Sequence, residues 1–480
     1  MTPPPIDKAK SIAFRMNDFP AGLSPMLVKE LRQGMRTNLF SVAFILLQCV
    51  MILSLLAGLS DPGSSDVDGF FWFFIVVTLL LVQPLRGFNA LNSEYLLNTM
   101  DLLQLTRLNG WRITVGKWTA LNAQTLLFLT GVLPYLVMRY FLGNVNFVID
   151  LAALGMLGLG SALASAITIG CSVFRSFLLR GFILFACGVG FISLFLGLQM
   201  TLFRSGMTSR EIWILCLVSL SILYGCFFFL SFGASRIAPL SENHATRKRL
   251  VALGFSLFTL AFIWTDIDVE SIILVSGLIL GLASIDAITE PLPIYSRVLE
   301  PFRKNYLTRF AAGFFAPGWI SGLGFFFLSA AIWGFALHLD DFFNLLSSPP
   351  STLQDLDTGR FTQYLSMLNL LLFPLIFIHL FFGKSTSGNF TFAIYAFVQC
   401  VLFVATIMIM ALASAMSVYK ELIYSLVPFP SVLISAGEQG DADELIFLFI
   451  ALVTTLLCVV IPLVRHRASF REFQHYLKTA

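Results

Sequence analysis

The chain has 480 residues, of which 57% are hydrophobic and only 12% are charged. Soluble domains carry about 25% charged residues, so this composition excludes a water-soluble globule. It also excludes intrinsic disorder, which requires low hydrophobicity. We therefore expect a protein that crosses a membrane several times.

Twelve apolar runs follow one another along the chain, and we expect each to be a helix. In hydrocarbon every backbone polar group must be satisfied within its own segment, which a helix achieves. The prediction is therefore an all-α polytopic membrane bundle with about twelve transmembrane helices, or ten if the short hairpin 250–289 does not span. The runs cover residues 39–60, 69–88, 118–140, 148–173, 177–203, 211–236, 250–265, 271–289, 315–337, 364–383, 391–415 and 445–464.

The distribution of basic residues predicts the orientation of these helices. If the N-terminus is cytoplasmic, the inner segments hold 25 Lys and Arg residues and the outer segments hold 5. Cytoplasmic loops are enriched in Lys and Arg, so we expect both termini in the cytoplasm. The expected location is a bacterial-type inner membrane. The predicted organisation is a cytoplasmic segment 1–38, a first transmembrane region 39–240, and a second region 241–480 with a short cytoplasmic tail.

The segment before the first run predicts an amphipathic helix on the inner leaflet. Ser24 is a suitable N-cap and Pro25 suits the first helical position. Leu27, Leu31 and Met35 then recur on one face. An ordinary positive flank of the first span is the alternative. The residues assigned to this interfacial helix are Leu27, Lys29, Glu30, Leu31, Arg32 and Arg36.

A second cytoplasmic segment, 92–117, also has a helical pattern. Leu96, Met100 and Leu103 form an apolar stripe. The loop is longer than a connection between two spans requires. We therefore expect a helix over 92–112 that contacts a partner, with packing of the stripe on lipid headgroups as the alternative.

The sequence predicts neither catalysis nor a bound metal or cofactor. A phosphate-binding loop G-x-x-x-x-G-K-[ST] is absent, and Gly383-Lys384-Ser385 in a short turn is interpreted as a helix cap. None of the five histidines has metal-ligand spacing. The seven cysteines lie within apolar runs and are interpreted as buried hydrophobic residues. The net charge of +3 gives no reason to expect nucleic acid as a partner.

The first 145 residues or so resemble the permease subunits of ABC-2 type ABC transporters. The resemblance rests on Pro25–Arg36, on Glu94, Thr99, Leu102, Leu103 and Thr106, and on Arg112, Ile113, Gly116 and Lys117. Asn98 replaces the glycine common in the family, Arg107-Leu108-Asn109 replaces its Pro–apolar–Ser, and about twelve spans exceed its usual six or so.

The resemblance implies an exporter subunit that lacks enzymatic activity and is driven by separate ABC ATPase subunits. It implies a second permease chain, identical or different, and contact with membrane lipid. The residues expected to couple the chain to the ATPase are Glu94, Leu96, Thr99, Met100, Asp101, Leu103, Arg107, Arg112 and Lys117.

A twelve-span secondary transporter is the main alternative. The loop between its second and third spans usually contains a G-x-x-x-D-R-x-G-R-[RK]-like string, which is missing here. The runs also show no series of Asp, Glu and His residues typical of a proton relay. The glycines Gly155, Gly158 and Gly160, and Gly277 with Gly281, are predicted to mark close helix packing.

Overall fold

The computed structural model describes most of the apolar part of the chain. The described ranges are 25–60, 65–96, 109–142, 146–174, 176–177, 179–181, 188, 208–238, 242–291, 296–337, 358–381, 388–415, 441–467 and 470–471. The proline-containing stretch 422–434, for which a re-entrant hairpin and an ordinary loop were equally compatible with the sequence, lies outside these ranges.

Every regular element in these ranges is helical, as the sequence predicts. The helices of the N-terminal half are α1 (Pro25–Met35), α2 (Asn38–Ser60), α3 (Ser65–Val76), α4 (Asn92–Leu96), α5 (Gly110–Leu142), α6 (Phe147–Cys171) and α7 (Ser209–Ile237). Those of the C-terminal half are α8 (Ala245–Leu260), α9 (Val269–Ile288), α10 (Tyr306–Phe315), α11 (Trp319–Leu337), α12 (Thr358–Phe381), α13 (Gly388–Ala415) and α14 (Asp441–Arg465).

The described residues contain 8 helices long and apolar enough to cross a membrane, so the chain is an integral membrane protein. The predicted count of twelve and the predicted sidedness of the termini stay predictions. The candidate spans are Asn38–Leu59, Val67–Leu85, Gly110–Leu142, Phe147–Cys171, Ser209–Ile237, Ser271–Ile288, Trp319–Leu337 and Leu448–Arg465.

The other four predicted runs differ in how much of them is described. Most of run 177–203 lies outside the described residues. Runs 364–383 and 391–415 form α12 and α13, whose described apolar portions are shorter. Run 250–265 becomes α8, which has only 16 residues and begins with three basic side chains near Lys248. Its partner in the hairpin, α9, is long enough to span.

The second apolar helix changes its hydrogen-bonding pattern along its length. After α3 the backbone continues as a π-helix over Val77–Val82, and a last turn covers Gln83–Leu85. The N–H of Gln83 accordingly donates to the carbonyl of Thr78, five residues back. Pro84 has no N–H and its ring clashes with the carbonyl four residues earlier, so the regular α ladder cannot pass this point unchanged.

The third apolar helix begins earlier than its hydropathy indicates. The run predicts a start at residue 118, whereas α5 begins at Gly110. Ile113 and Thr114 are buried, so this polar-looking beginning packs against the protein and continues the helix. Of the helix predicted over 92–112, the structure describes α4 and the first turn of α5, and residues 97–108 lie outside the description.

The chain divides into two compact units, Met1–Ala238 and Pro239–Ala480. In the first unit, α2, α3, α5 and α6 share a core that includes Met51, Phe71, Phe128 and Leu157. Aromatic contacts such as Phe44 with Phe128 stabilise this core.

In the second unit, α9, α11, α12 and α14 contribute to one core. A polar link joins α12 to α14 inside it. The Asn369 amide donates to the carbonyl of Ala451 at 3.0 Å and accepts from the Thr455 hydroxyl at 2.8 Å. Because Asn369 is fully buried, these bonds satisfy groups that lipid could not.

Only some of the predicted packing glycines lie at close helix contacts. A Cβ at Gly158 or Gly277 would meet a neighbouring side chain, whereas one at Gly155 or Gly281 would meet nothing within 4 Å. Close backbone approaches between long helices occur instead at Gly170, whose Cβ would strike the carbonyl oxygen of Phe229 on α7, and at Gly322 on α11, whose Cβ would strike that of Ala287 on α9.

Candidate functional site

A buried lysine joins three elements at one end of the first unit. Lys117 Nζ on α5 donates to Glu30 Oε1 on α1 at 2.8 Å and to Glu94 Oε1 on α4 at 3.0 Å. Lys117 is 5% exposed and Glu94 is 7% exposed. Lys29 adds a longer ion pair to Glu94 at 3.8 Å. Shielding from water makes these contacts stronger than surface ion pairs, so α1 and α4 are fastened to the base of α5.

A second basic side chain, Arg86, also joins α1 to α5. Arg86 follows the second candidate span, and its Nη2 donates to the carbonyl of Gly34 at 2.6 Å and to Thr37 Oγ1 at 3.2 Å. Its Nη1 donates to Oε1 of Gln124 on α5 and to Oε1 of Gln83. One side chain thus joins the connection between α1 and α2 to the last turn of the second span and to the middle of α5.

The backbone leading into α4 is held from α6 and the residues beyond it. The N–H of Leu91 donates to Ser172 Oγ at 3.0 Å. Arg180 Nη1 donates to the carbonyl of Phe88 at 3.0 Å and to Asn89 Oδ1 at 2.6 Å. Hydrogen bonds with Ser172 and Arg180 therefore fix the backbone between Arg86 and α4.

The structure describes three of the predicted coupling residues. Glu94 and Lys117 are buried in the ion-pair group, and Arg112 is exposed on the first turn of α5. The side chain of Leu96 and the residues Thr99, Met100, Asp101, Leu103 and Arg107 lie outside the description, so the apolar stripe stays a prediction.

The predicted interfacial helix is α1, and it packs against α5 at Glu30. Its Leu27 and Leu31 are half-buried, whereas Lys29, Arg32 and Arg36 are exposed. At Gly34 the helix approaches α5 so closely that a Cβ would strike the Gln124 amide. Its expected contact with lipid stays a prediction.

The opposite end of the first unit carries a second charged group. Arg139 Nη2 on α5 donates to Asp68 Oδ1 on α3 at 2.5 Å, and Arg139 Nη1 lies 3.6 Å from Asp150 Oδ2 on α6. The guanidinium also stacks over the Phe71 ring at 4.3 Å. Asp150 is 1% exposed, and neither carboxylate oxygen has a hydrogen-bond partner among the described residues.

The two charged groups of the first unit are separated by about one membrane thickness. Lys117 and Arg139 are 22 positions apart in α5, which at 1.5 Å per residue is about 33 Å. The hydrocarbon core of a bilayer is about 30 Å thick. The charges therefore mark the two interfaces independently of hydropathy.

In the second unit, the buried Arg249 joins several elements in the same way. Arg249 Nη1 donates to the carbonyls of Phe314 at 2.9 Å and Ala316 at 2.7 Å. Its Nη2 donates to Glu290 Oε2 at 2.9 Å and to the carbonyl of Gly318 at 3.2 Å. Gly318 has a φ of 112°, which favours glycine. Arg249 thus joins the start of α8 to the residues after α9 and to the α10–α11 connection.

Burial and the neighbouring charges act in opposite directions on the pKa of Arg249, and the net effect lowers it. Burial lowers the pKa of Arg249, whereas the charges of Glu290 and Asp286 raise it. A guanidinium has a pKa above about 12 and does not lose its proton in proteins. The adjacent Lys248 pairs with Asp286 and lies 3.7 Å from Glu290 Oε1.

Sequence reasoning missed the buried carboxylates. Asp150 and Asp286 lie within the apolar runs 148–173 and 271–289, close to a run boundary. A single acid near the end of an apolar run was the available signal, but its partner is distant in sequence and so could not be found from spacing. Among the described residues no group of His, Cys, Asp and Glu could hold a metal ion.

Comparison with protein-family models, with curated proteins and with solved structures gives no match to this chain. Its function is therefore inferred from the arrangement of its own residues.

Proposed function

We propose that this chain is the transmembrane permease subunit of an ATP-driven exporter of the ABC-2 type. It forms the translocation path in a bacterial-type inner membrane with both termini in the cytoplasm. ATP is hydrolysed by separate subunits that dock on its cytoplasmic face, and a second permease chain completes the transporter.

The observation that carries this proposal is the position of Lys117. A permease without its own ATPase must receive mechanical work through a cytoplasmic contact. The buried bonds from Lys117 to Glu30 and Glu94 connect α1 and α4 to α5, a helix long enough to span the membrane. A force on the segment that follows α4 would therefore reach α5 through a stiff linkage.

In this mechanism the roles of the predicted residues separate. Glu94 and Lys117 are positioning residues, because they are buried away from a docking surface. The stripe of Leu96, Met100 and Leu103 would fill a cleft on the ATPase, as an amphipathic helix fills a groove. Exposed charges such as Arg112 would set the register.

Purification of tagged protein in mild detergent tests the proposal. The wild-type chain should retain a nucleotide-binding ATPase, and Leu103→Asp should lose it while still inserting and folding. Gln104→Asp, an equal charge on the adjacent polar position, is the matched control and should retain the ATPase. Equal recovery of the ATPase with Leu103→Asp would refute the coupling role.

One observation favours the alternative of a twelve-span secondary transporter. Buried carboxylates in a membrane bundle are typical of ion-driven transport, and Asp150, beside Arg139 at one end of the first unit, is buried. On this alternative, cells depleted of ATP but holding an ion gradient would still export a fluorescent amphipathic dye, and Asp150→Asn would stop that export. Export that requires ATP and survives this substitution excludes it.

A further inference from the structure

The short helix α10 exposes an apolar surface although it is not a membrane span. Tyr306 is 90% exposed, Leu307 is 82% exposed and Phe310 is 70% exposed. The helix has 10 residues, about 15 Å, which is half of the hydrocarbon thickness. It ends just before α11, which is long enough to span.

The side chains of α10 fall into three sectors around its axis. A helix advances about 100° per residue, which places Tyr306, Leu307 and Phe310 together. Ala312 and Phe315 lie on the opposite side and pack into the core of the second unit. The third sector contains the exposed Arg309, whereas Gly313 lies about 20° from Tyr306 and so borders the apolar sector.

The orientation of these sectors is fixed by contacts to α8 at the C-terminal end of α10, and a cap defines its beginning. Asn305 forms a reciprocal capping box with Thr308 at the N-terminus. At the C-terminus, Thr246 Oγ1 donates to the carbonyl of Phe315 at 2.8 Å, and Arg249 binds the carbonyl of Phe314. The apolar sector is consequently held outward rather than free to turn into the core.

Basic residues border the apolar sector. Lys304 and Arg309 are exposed at and just before the helix, and the nearest described acidic side chain in the chain order is the exposed Glu300. Arg249 and Glu290 form a charged group at one end of the α8–α9 hairpin, and Arg249 also binds the carbonyl of Phe314 on α10. Because charged groups favour the ends of membrane helices, α10 lies near a membrane interface. Apolar aromatic residues beside Lys and Arg are typical of helices that lie on anionic membranes.

We propose that α10 lies in the headgroup region and binds anionic phospholipid. Tyr306, Leu307 and Phe310 face the acyl chains, and Lys304 and Arg309 contact the phosphates. This inference depends on the embedding of the chain in a membrane and is independent of ATP-driven export.

Spin labelling in nanodiscs tests the immersion of the apolar sector. A nitroxide at Leu307→Cys and a control at Glu300→Cys, an exposed acidic position before the helix, are compared in a variant whose native cysteines are serine. We expect the label at 307 to be accessible to oxygen and shielded from a water-soluble nickel chelate, with the reverse at 300. Equal access of the chelate to both labels, as for a surface awaiting a protein partner, would overturn the proposal.

Lipid retention tests the choice of anionic headgroups. The full chain is extracted from vesicles containing equal phosphatidylglycerol and phosphatidylcholine, and the co-purified lipids are measured. Lys304→Gln/Arg309→Gln should lower the retained phosphatidylglycerol about five-fold for each charge removed. Arg309→Lys, which keeps the charge, and Arg247→Gln, at an exposed position on α8, should leave it unchanged. Equal retention by the double variant would refute anionic recognition.

Discussion

Lys117 shows how one side chain determines the arrangement of its surroundings. It is the shared cation of two carboxylates, Glu30 and Glu94, which belong to different elements. Removing one partner from a buried ion pair costs about 3–5 kcal/mol, because the remaining charge stays buried without compensation. Lys117→Met should accordingly lower the thermal unfolding temperature of the detergent-solubilised chain and expose α1 to protease.

Two further variants distinguish charge from packing at this position. Adding Glu30→Gln and Glu94→Gln to Lys117→Met removes the unpaired charges and should recover most of the lost stability. Arg112→Met removes an exposed charge from the same helix and should change the unfolding temperature little. A triple variant as unstable as Lys117→Met would mean that the lysine acts through its packing alone.

At the scale of the element, α6 and α7 meet where neither helix has room for a side chain. A methyl group at Gly170 would strike the carbonyl of Phe229, and one at Gly233 would lie 3.0 Å from the Cα of Gly170. Overpacking of this kind costs about 1–3 kcal/mol. Gly170→Ala should therefore lower the unfolding temperature.

Gly155 on the same helix provides the matched control. A Cβ at Gly155 would meet nothing within 4 Å. Within a helix, alanine is more favourable than glycine by about 1 kcal/mol. Gly155→Ala should leave the unfolding temperature equal or slightly higher. If both alanine variants lose the same stability, the close contact of α6 with α7 is not the cause.

For the whole molecule, the distribution of charge predicts which loops face each side of the membrane. Segments 61–68 and 338–363 should react with impermeant labels added outside intact cells, and 95–110 and 470–480 should not. A cysteine placed at Gln104 should be protected from these labels because 95–110 is predicted to be cytoplasmic. The native cysteines lie within apolar runs and should add little background labelling. Labelling of that cysteine from outside would mean that the orientation is the reverse of the predicted one.

The division of labour proposed for the whole transporter also has a direct measurement. The purified chain alone should hydrolyse no ATP, because its sequence lacks a phosphate-binding loop. Turnover above that of a mock purification, retained after removal of co-purified proteins, would contradict the need for separate ATPase subunits.

The sequence predicted the helical class and most helix positions because hydropathy is local. It predicted α1 correctly from Ser24, Pro25 and the leucine spacing. It missed the contacts of Arg139 with Asp150 and of Arg249 with the α10–α11 connection, since these join residues far apart in the chain. It also gave no indication of the exposed apolar face of α10, because that face depends on which side of the helix the rest of the unit leaves uncovered.

The π-helical stretch gives the second span an uneven stiffness. Below it, Arg86 and Gln83 tie the helix to α5 through Gln124, and above it, Asp68 ties α3 to the same helix through Arg139. Between these two anchors the wider turns over Val77–Val82 interrupt the regular α-helical ladder, and helices commonly kink at such π-helical insertions. The second span is thus anchored at both ends and irregular in its middle. Any displacement between the two ends of the first unit would therefore be absorbed as bending and twist within these six residues.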